Sequence, residues 1–203
     1  GITYLDSGDI TKRGEIKDDI GTYKANDIAL AIGYGTKLKK DIAIGASVKY
    51  ISEKIDTESG SGFAADIGSL YFTKFDKQPI SLGVSISNIG DKMGPGEKSE
   101  LPLTARIGVS SQLFKEKLNV LVEADFPLNS DITAGIGIEY FILDTFTFRC
   151  GYKLLRDDLT GIEPITVGFG IVHTLKQDFL LDYAFSNIGA LGLSHKISAG
   201  IRF

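Results

Sequence analysis

The sequence predicts an all-β protein, an antiparallel up-and-down transmembrane β-barrel with about twelve strands present. Three observations support this fold class: apolar side chains alternate with small or polar ones, the alternating runs are about ten residues long, and short and long connections follow each other in turn. The 203 residues suit a single domain covering 1–203. No run of about 18 apolar residues occurs, which argues against a transmembrane helix.

The alternating runs have the length and composition of membrane-crossing strands. From Ile42 to Tyr50, larger apolar residues occupy every second position and Ala, Gly, Ser and Lys lie between them, and similar runs recur towards the C-terminus. A tilted strand needs about 9–11 residues to cross a bilayer, whereas strands of soluble proteins average about five or six. The prolines fall in predicted loops or at strand starts, where they cost no ladder hydrogen bond: Pro79, Pro95, Pro102, Pro127 and Pro164.

The predicted connections sort by length onto two sides. If the last strand ends at Phe203 on the inner side, the connections on that side are short: residues 38–40, 74–78, 115–117, 143–144 and 174–176. The connections on the outer side are 7–24, 56–62, 90–100, 127–130, 154–163 and 187–194. All of these except 127–130 are longer and more polar, and this sorting is typical of outer-membrane barrels. A soluble sandwich has no reason to sort its loops in this way.

The two faces of the predicted strands differ in chemistry. One face is apolar and is predicted to meet lipid, with tyrosines near strand ends as interfacial girdles: Tyr34, Tyr50, Tyr71, Tyr140 and Tyr152. The other is predicted to line the lumen with small residues and charged candidates: Lys49, Glu53, Asp66, Arg106, Glu123, Asp125, Glu139, Arg149, Lys153, Asp182, Lys196 and Arg202. Because their signs balance, packing of the wall is favoured over solute selectivity. Asp66, Arg106, Glu123 and Arg149 are expected near mid-depth.

The C-terminal strand ends in an aromatic residue. The segment Ala199–Phe203 alternates up to the terminal Phe203, and it resembles the signal that barrel-assembly machinery reads. Phe203 is therefore the predicted assembly signal. The chain begins at Gly1 without a visible signal peptide, so it is expected to be a mature form or a fragment.

Composition and spacing argue against several other functions. The net charge of −4 and scattered basic residues give no footprint for nucleic acid. Cys150 falls on the predicted lipid face and is interpreted as a small apolar residue. His173 and His195 lie at opposite predicted ends, so they cannot share a metal. No nucleophile–base pair and no cofactor motif is recognisable, so an enzyme is not expected and no cofactor is predicted.

Two polar features have a plain interpretation that outweighs a binding role. Ser-Asn-Ile-Gly occurs at Ser87–Gly90 and at Ser186–Gly189, where Asn and Gly are typical of strand ends. The acidic residues of the first loop match no EF-hand spacing and are interpreted as a solvated loop: Asp6, Asp9, Glu15, Asp18 and Asp19.

Several stretches resemble a known family. They are Gly45–Ile55, Ser85–Gly90, Leu101–Thr104, Leu181–Phe185 and Ser194–Phe203. In order and spacing they resemble strands of the PorV/PorQ family of FadL-like outer-membrane barrels, from about residue 25 onward. The resemblance implies about fourteen strands and an N-terminal segment that can enter the lumen. An upstream part is therefore expected to be missing, the alternative being a complete twelve-stranded barrel.

The resemblance implies a location in the bacterial outer membrane and two candidate functions. The first is type IX-like protein secretion, in which residues 90–100 and 154–163 would contact secretion-machinery or cargo proteins. The alternative is a FadL-like channel for hydrophobic small molecules. A soluble lipocalin-like or sandwich protein is a third hypothesis, against which loop sorting and strand length argue. The partners expected from the barrel fold itself are outer-membrane lipid and the barrel-assembly machinery.

Overall fold

The computed structural model describes residues 1–8, 10–13, 19–96, 98–143, 145–154, 165–174, 178–187 and 193–202, and these contain strands and no helix. The strands are β1 (Ile2–Asp6), β2 (Ile10–Arg13), β3 (Asp19–Tyr23), β4 (Ala25–Lys39), β5 (Ile42–Ile55), β6 (Glu58–Phe75), β7 (Gln78–Gly90), β8 (Thr104–Leu113), β9 (Leu118–Pro127), β10 (Thr133–Ile142), β11 (Phe146–Leu154), β12 (Ile165–Thr174), β13 (Asp178–Asn187) and β14 (Leu193–Arg202). Among these residues no helix is long and apolar enough to cross a membrane.

Twelve of the strands form one sheet in the order β1-β4-β5-β6-β7-β8-β9-β10-β11-β12-β13-β14. Chain neighbours are therefore sheet neighbours throughout, apart from a separate β2–β3 hairpin inside the first predicted loop. Pairing is antiparallel from β9 to β14, for example with Glu139 opposite Arg149 and Gly170 opposite Asp182. This is the up-and-down order that the alternating connections predict, with the expected number of strands.

The predicted long connection at 56–62 is wrong. Strand β5 ends at Ile55 and β6 begins at Glu58, so two residues make the turn, and Asp56 has a φ of 54°. The polar, glycine-containing stretch after the turn was expected to be a loop, yet it extends β6 to 18 residues. Gly60 and Gly62 are required there by contacts made in three dimensions, described below, that local composition does not reveal.

The predicted loop 7–24 is wrong in part, because it contains β2 and β3, while the remaining predicted connections match the structure to within a few residues where it describes them. Two residues separate β4 from β5 and β6 from β7, and four separate β8 from β9. Some predictions concern positions outside the described residues: most of 154–163 and 187–194, the turn 174–176 beyond Thr174, Asp144, Asp9, Glu15, Asp18 and Phe203, together with the side chains of Asp19, His173 and Arg202.

Burial is inverted relative to a soluble protein. Large apolar side chains at alternate strand positions are exposed, among them Ile32 (84%) and Val48 (57%). The buried hydrophobic residues in the described part of the chain are Ala64, Met93 and Leu101. Soluble proteins bury most of their large aliphatic residues, whereas an apolar face exposed along successive strands marks contact with a membrane or a partner.

Contacts divide the chain into two compact units. The first comprises Gly1–Thr36, Ile44–Gly68 and Ile86–Thr104, and it includes the connection between β7 and β8. The second comprises Lys37–Ala43, Ser69–Ser85 and Ala105–Phe203, and it includes all of β9 to β14.

Candidate functional site

The candidate site is the face of the sheet that carries glycine, serine and charged residues, called here the polar face. Successive side chains of a strand point to opposite sides, so every second residue shares this face. In β5 the polar face holds Gly45, Ser47 and Lys49, which are half-buried, whereas Val48 and Tyr50 on the opposite, apolar face are exposed. Three charged clusters lie on the polar face, one in the first unit and two in the second.

The first cluster is centred on the ion pair between Lys49 and Asp66. Lys49 Nζ lies 2.7 Å from Asp66 Oδ1 and donates to Asn88 Oδ1 at 2.6 Å. The hydroxyl of Ser47 donates to Asp66 Oδ2 at 2.8 Å. Because both groups of the pair have further polar partners, their partial burial leaves neither charge unsatisfied.

Asn88 organises this cluster through its backbone as well as its side chain. Its φ of 62° is in the left-handed region that asparagine tolerates, and its N–H donates to Asp66 Oδ1 at 2.9 Å. Its amide Nδ2 donates to the carbonyl of Pro102 at 3.0 Å. The interpretation of Ser87–Gly90 as a strand end holds, since β7 ends at Gly90. It missed the contacts of Asn88, for which the only sequence signal is an asparagine within an alternating run.

The second cluster joins Arg106 of β8 to two carboxylates of β9. Arg106 Nε and Nη2 donate to the two carboxylate oxygens of Asp125, and the Nη2–Oδ2 distance is 3.1 Å. Glu123 Oε2 lies 3.8 Å from Arg106 Nε. A two-pronged contact of this kind fixes the plane of the guanidinium.

The third cluster crosses four strands. Arg149 of β11 donates from Nε to Glu139 Oε1 of β10 at 2.7 Å, and from Nη1 to Asp182 Oδ1 of β13. Gly170 of β12 lies beneath this contact. A Cβ at Gly170 would be 2.6 Å from Asp182 Oδ1 and 3.0 Å from Arg149 Nη1, so a side chain there would force these two charged groups to shift.

The structure therefore brings together eight of the twelve charged candidates. Within the described residues, Glu53, Lys153 and Lys196 lie outside these three clusters. The arginine side chains are 41–51% exposed, so each ion pair is expected to contribute only about 0–1 kcal/mol. Each arginine cluster has one more carboxylate than guanidinium. The clusters therefore determine the charge of the polar face, while they contribute little to the free energy of unfolding.

Two cavities open on the second unit. One has a volume of about 400 Å³ and is lined by Leu121, Gly137, Arg149 and Ala184 among others. The other, of about 450 Å³, is lined by residues such as Phe72, Pro79 and Gln112. Asn119 borders both, and its Oδ1 is buried without a hydrogen-bond partner in the structure.

His195 lies on the apolar face and contacts aromatic side chains there. The hydroxyl of Tyr183 lies 2.7 Å from His195 Nδ1, and the ring of Phe185 is 5.5 Å away. Such a cluster near a strand end is typical of an interfacial aromatic belt. Among the described residues, no three His, Cys, Asp or Glu side chains could hold a metal ion, and Cys150 is a half-buried free thiol.

Similarity to known proteins lies at the level of three-dimensional structure. No family model and no curated protein matches the sequence. The KdgM porin superposes with a TM-score of 0.51 and 10% identity, covering 100% of this chain and 96% of that one. The P. putida toluene transporter TodX superposes with a TM-score of 0.57 and 11% identity, covering 98% and 75%. A TodX deltaS2S3 mutant monoaromatic hydrocarbon channel gives 0.57 and 13%, covering 98% and 76%.

These structures are outer-membrane β-barrels, and identity this low establishes the fold alone. The prediction of an all-β, antiparallel up-and-down barrel with twelve strands present is confirmed. The narrower resemblance to the PorV/PorQ family stays a prediction. The chain has the fold of the outer-membrane barrels, and its charged clusters lie on the polar face of that fold.

Proposed function

We propose that the protein is a passive transport channel of the bacterial outer membrane, with the apolar face in lipid and the polar face lining a watered lumen. The observation that carries the proposal is the contrast between the two faces. Exposed aliphatic and aromatic side chains occupy one, and three charged clusters occupy the other. The fold neighbours described as a porin and as a transporter support a transport role over an enzymatic one.

Energetics favour this orientation. A Lys or Arg on the lipid face of a barrel costs about 2–4 kcal/mol at mid-depth. If the sheet were reversed, Lys49, Arg106 and Arg149 would each incur such a cost to a degree set by depth, and their carboxylate partners would be desolvated with them. In a water-filled lumen these three basic side chains and their carboxylate partners remain hydrated, which agrees with their partial exposure.

The signs of the twelve candidates balance, but within the three clusters five carboxylates face three basic groups, which favours small polar solutes with cations preferred over anions. The Arg106 and Arg149 clusters each contain two carboxylates and one guanidinium, and the Lys49 cluster contains one group of each sign. Fixed carboxylates along a lumen attract counter-ions and raise their local concentration. An acidic solute would meet these carboxylates without an excess of basic groups in the clusters.

The test is the reversal potential of single channels of the full-length protein in a planar bilayer under a KCl gradient. We expect steady conductance with cation preference. Arg149→Gln should increase the preference, because Glu139 and Asp182 lose their counter-charge, whereas Glu139→Gln should decrease it. Absence of conductance, or anion preference that both variants leave unchanged, would contradict the proposal.

A FadL-like channel for hydrophobic molecules is a second candidate that one observation favours. The cavity of about 400 Å³ has largely apolar walls, formed by Leu121, Ala184 and the backbone of Gly137 and Gly168. Asn119 and the ion pairs of Arg149 with Glu139 and Asp182 also line this cavity, and a small apolar molecule would occupy the space beside them. Native mass spectrometry of protein extracted gently from its own membrane would retain such a molecule, whereas a channel for polar solutes would carry none.

The role in type IX-like secretion rests on the sequence resemblance, and the fold neighbours give it no support. It requires secretion-machinery or cargo proteins to bind the loops 90–100 and 154–163. The same native mass spectrum would detect them as stoichiometric partners. Their presence without ion conductance would favour secretion over transport.

A further inference from the structure

The connection between β7 and β8, called here the β7–β8 loop and described for residues 91–96 and 98–103, packs against strands of its own unit. Met93 and Leu101 are buried, at 3% and 8% exposure, against Ala64 of β6, and Ile51 of β5 packs beside them. These residues form the hydrophobic core of the described part of the chain. A loop that extended freely into solvent would not bury its apolar residues in this way.

Glycines on β6 and β7 make room for this packing. A Cβ at Gly62 would lie 3.0 Å from Met93 Cβ and 3.2 Å from its Sδ. A Cβ at Gly90 would lie 2.8 Å from Leu101 Cδ1, and a Cβ at Gly60 would overlap the carbonyl of Gly94. The loop therefore touches the strand backbone directly.

The packing is on the polar face. Gly60, Gly62 and Ala64 occupy the same alternate positions of β6 as Asp66, which pairs with Lys49. Asn88 has a left-handed φ, and its side-chain amide donates a hydrogen bond to the carbonyl of Pro102 in the loop. The loop is thus joined to the first charged cluster.

The loop is also ordered internally. Met93 and Ser99 form an isolated antiparallel bridge with two backbone hydrogen bonds of 2.9 Å. Lys92 Nζ lies 3.1 Å from Glu100 Oε1 across the same bridge. Backbone pairing and side-chain burial therefore both stabilise the described residues of the loop.

We propose that the β7–β8 loop is the constriction that sets the size limit of the channel. The inference rests on the proposed function, because the polar face lines a lumen only if the protein is a channel. A loop that lies on the polar face of β6 occupies lumen cross-section and narrows the path for solutes. Met93 and Leu101 are the positioning residues, since they hold the loop on the wall.

The test is single-channel conductance and the largest sugar admitted in liposome swelling, measured on the full-length protein. Gly62→Val places a branched side chain where Met93 lies and should release the loop, raising both readings. Gly45→Val is the matched control on the polar face of β5, where a Cβ meets only Tyr34 O at 3.5 Å and Gly35 Cα at 3.8 Å. It adds the same bulk to the lumen lining without a contact to the loop, so it should lower both readings, whereas Gly62→Val should raise them.

A second variant guards against misfolding of the strand. Met93→Ser combined with Leu101→Ser removes the two anchors and leaves β6 intact, and it should also raise conductance and the size limit. If the wild type conducts and the loop variants have the same conductance and size limit, the constriction proposal is overturned while the channel proposal stands. A silent wild type with conducting loop variants would support the loop as a barrier, and silence of every protein would overturn both proposals.

Discussion

Arginine at the centre of the apolar face should damage folding severely, and Ile138 is the position to change. It belongs to β10 (Thr133–Ile142), is 42% exposed, and lies between Val120 and Cys150 of the adjacent strands. Its neighbour Gly137 is on the polar face, where an added Cβ meets only the carbonyl of Cys150 at 3.8 Å. The two positions therefore test opposite faces at one depth.

The expected magnitude follows from the length of the strand. Ten residues at about 3.3 Å each, tilted by about 40°, span about 25 Å, which is the height of the apolar band of an outer-membrane barrel. Ile138 is the sixth residue and lies near mid-depth, so Ile138→Arg should cost about 2–4 kcal/mol. This corresponds to a loss of about 30- to 1,000-fold in the folding equilibrium.

The same change at the end of the strand is the matched control. Ile142 is the last residue of β10 and is 43% exposed, so its accessibility equals that of Ile138 while its depth differs. Ile142→Arg should cost about 0–1 kcal/mol, because the interface tolerates charge. Gly137→Ser should cost little, because the polar face has room for a hydroxyl.

The assay is the free energy of folding into phospholipid vesicles, from urea titration followed by the gel mobility of folded and unfolded forms. Two results would be incompatible with a lipid-facing Ile138: equal costs for Ile138→Arg and Ile142→Arg, or a higher cost for Gly137→Ser than for Ile138→Arg. Either result would mean that the exposed apolar face does not meet lipid at the predicted depth.

Two further substitutions test the clusters of the polar face by the same titration. Gly170→Val should cost about 1–3 kcal/mol, because its side chain displaces the carboxylate of Asp182, whereas Gly151→Ala, with 3.8 Å of room, should cost under about 1 kcal/mol. Equal costs would contradict the role of Gly170. Asn88→Ala should cost about 1–2 kcal/mol by losing its amide contacts and straining a left-handed φ, and Asn88→Gly should cost less if strain is the larger part. A neutral Asn88→Ala would show that neither contact matters.

The strands and most turns were predictable because a two-residue period is a local property. The runs that become β8 to β14 carry one apolar and one polar face each, so their length, facing and order follow from the alternation. The turn at Asp76 and Lys77, where both residues have positive φ, likewise falls inside the predicted 74–78. Local patterns of this kind can be recognised without knowing which distant segments pack against each other.

Contacts between distant segments were not predictable from the same patterns. The charged face was identified, but the partners of Arg149 depend on the register of three strand pairs, which alternation leaves open. Residues 58–62 were expected to be a loop because they are polar or glycine and contain no alternating large apolar residue. Gly60 and Gly62 are there to receive the β7–β8 loop, and only the folded chain reveals that need.

The β2–β3 hairpin was missed for a related reason. Its strands are short, at four and five residues. The charges of Lys12 and Arg13 in the sequence are typical of a solvated loop. No apolar alternation marks it, because a hairpin outside the main sheet need not bury a face.

The most direct test of the central claim is thiol accessibility on the two faces of β10 in membranes. In a Cys150→Ser background, Gly137→Cys and Ile138→Cys place single thiols one residue apart at equal depth. A charged, water-soluble methanethiosulfonate should modify the thiol at 137 and spare the one at 138, which should react instead with a lipid-soluble maleimide. Modification of 138 by the water-soluble reagent, with 137 protected, would contradict the assignment of the polar face to a watered lumen.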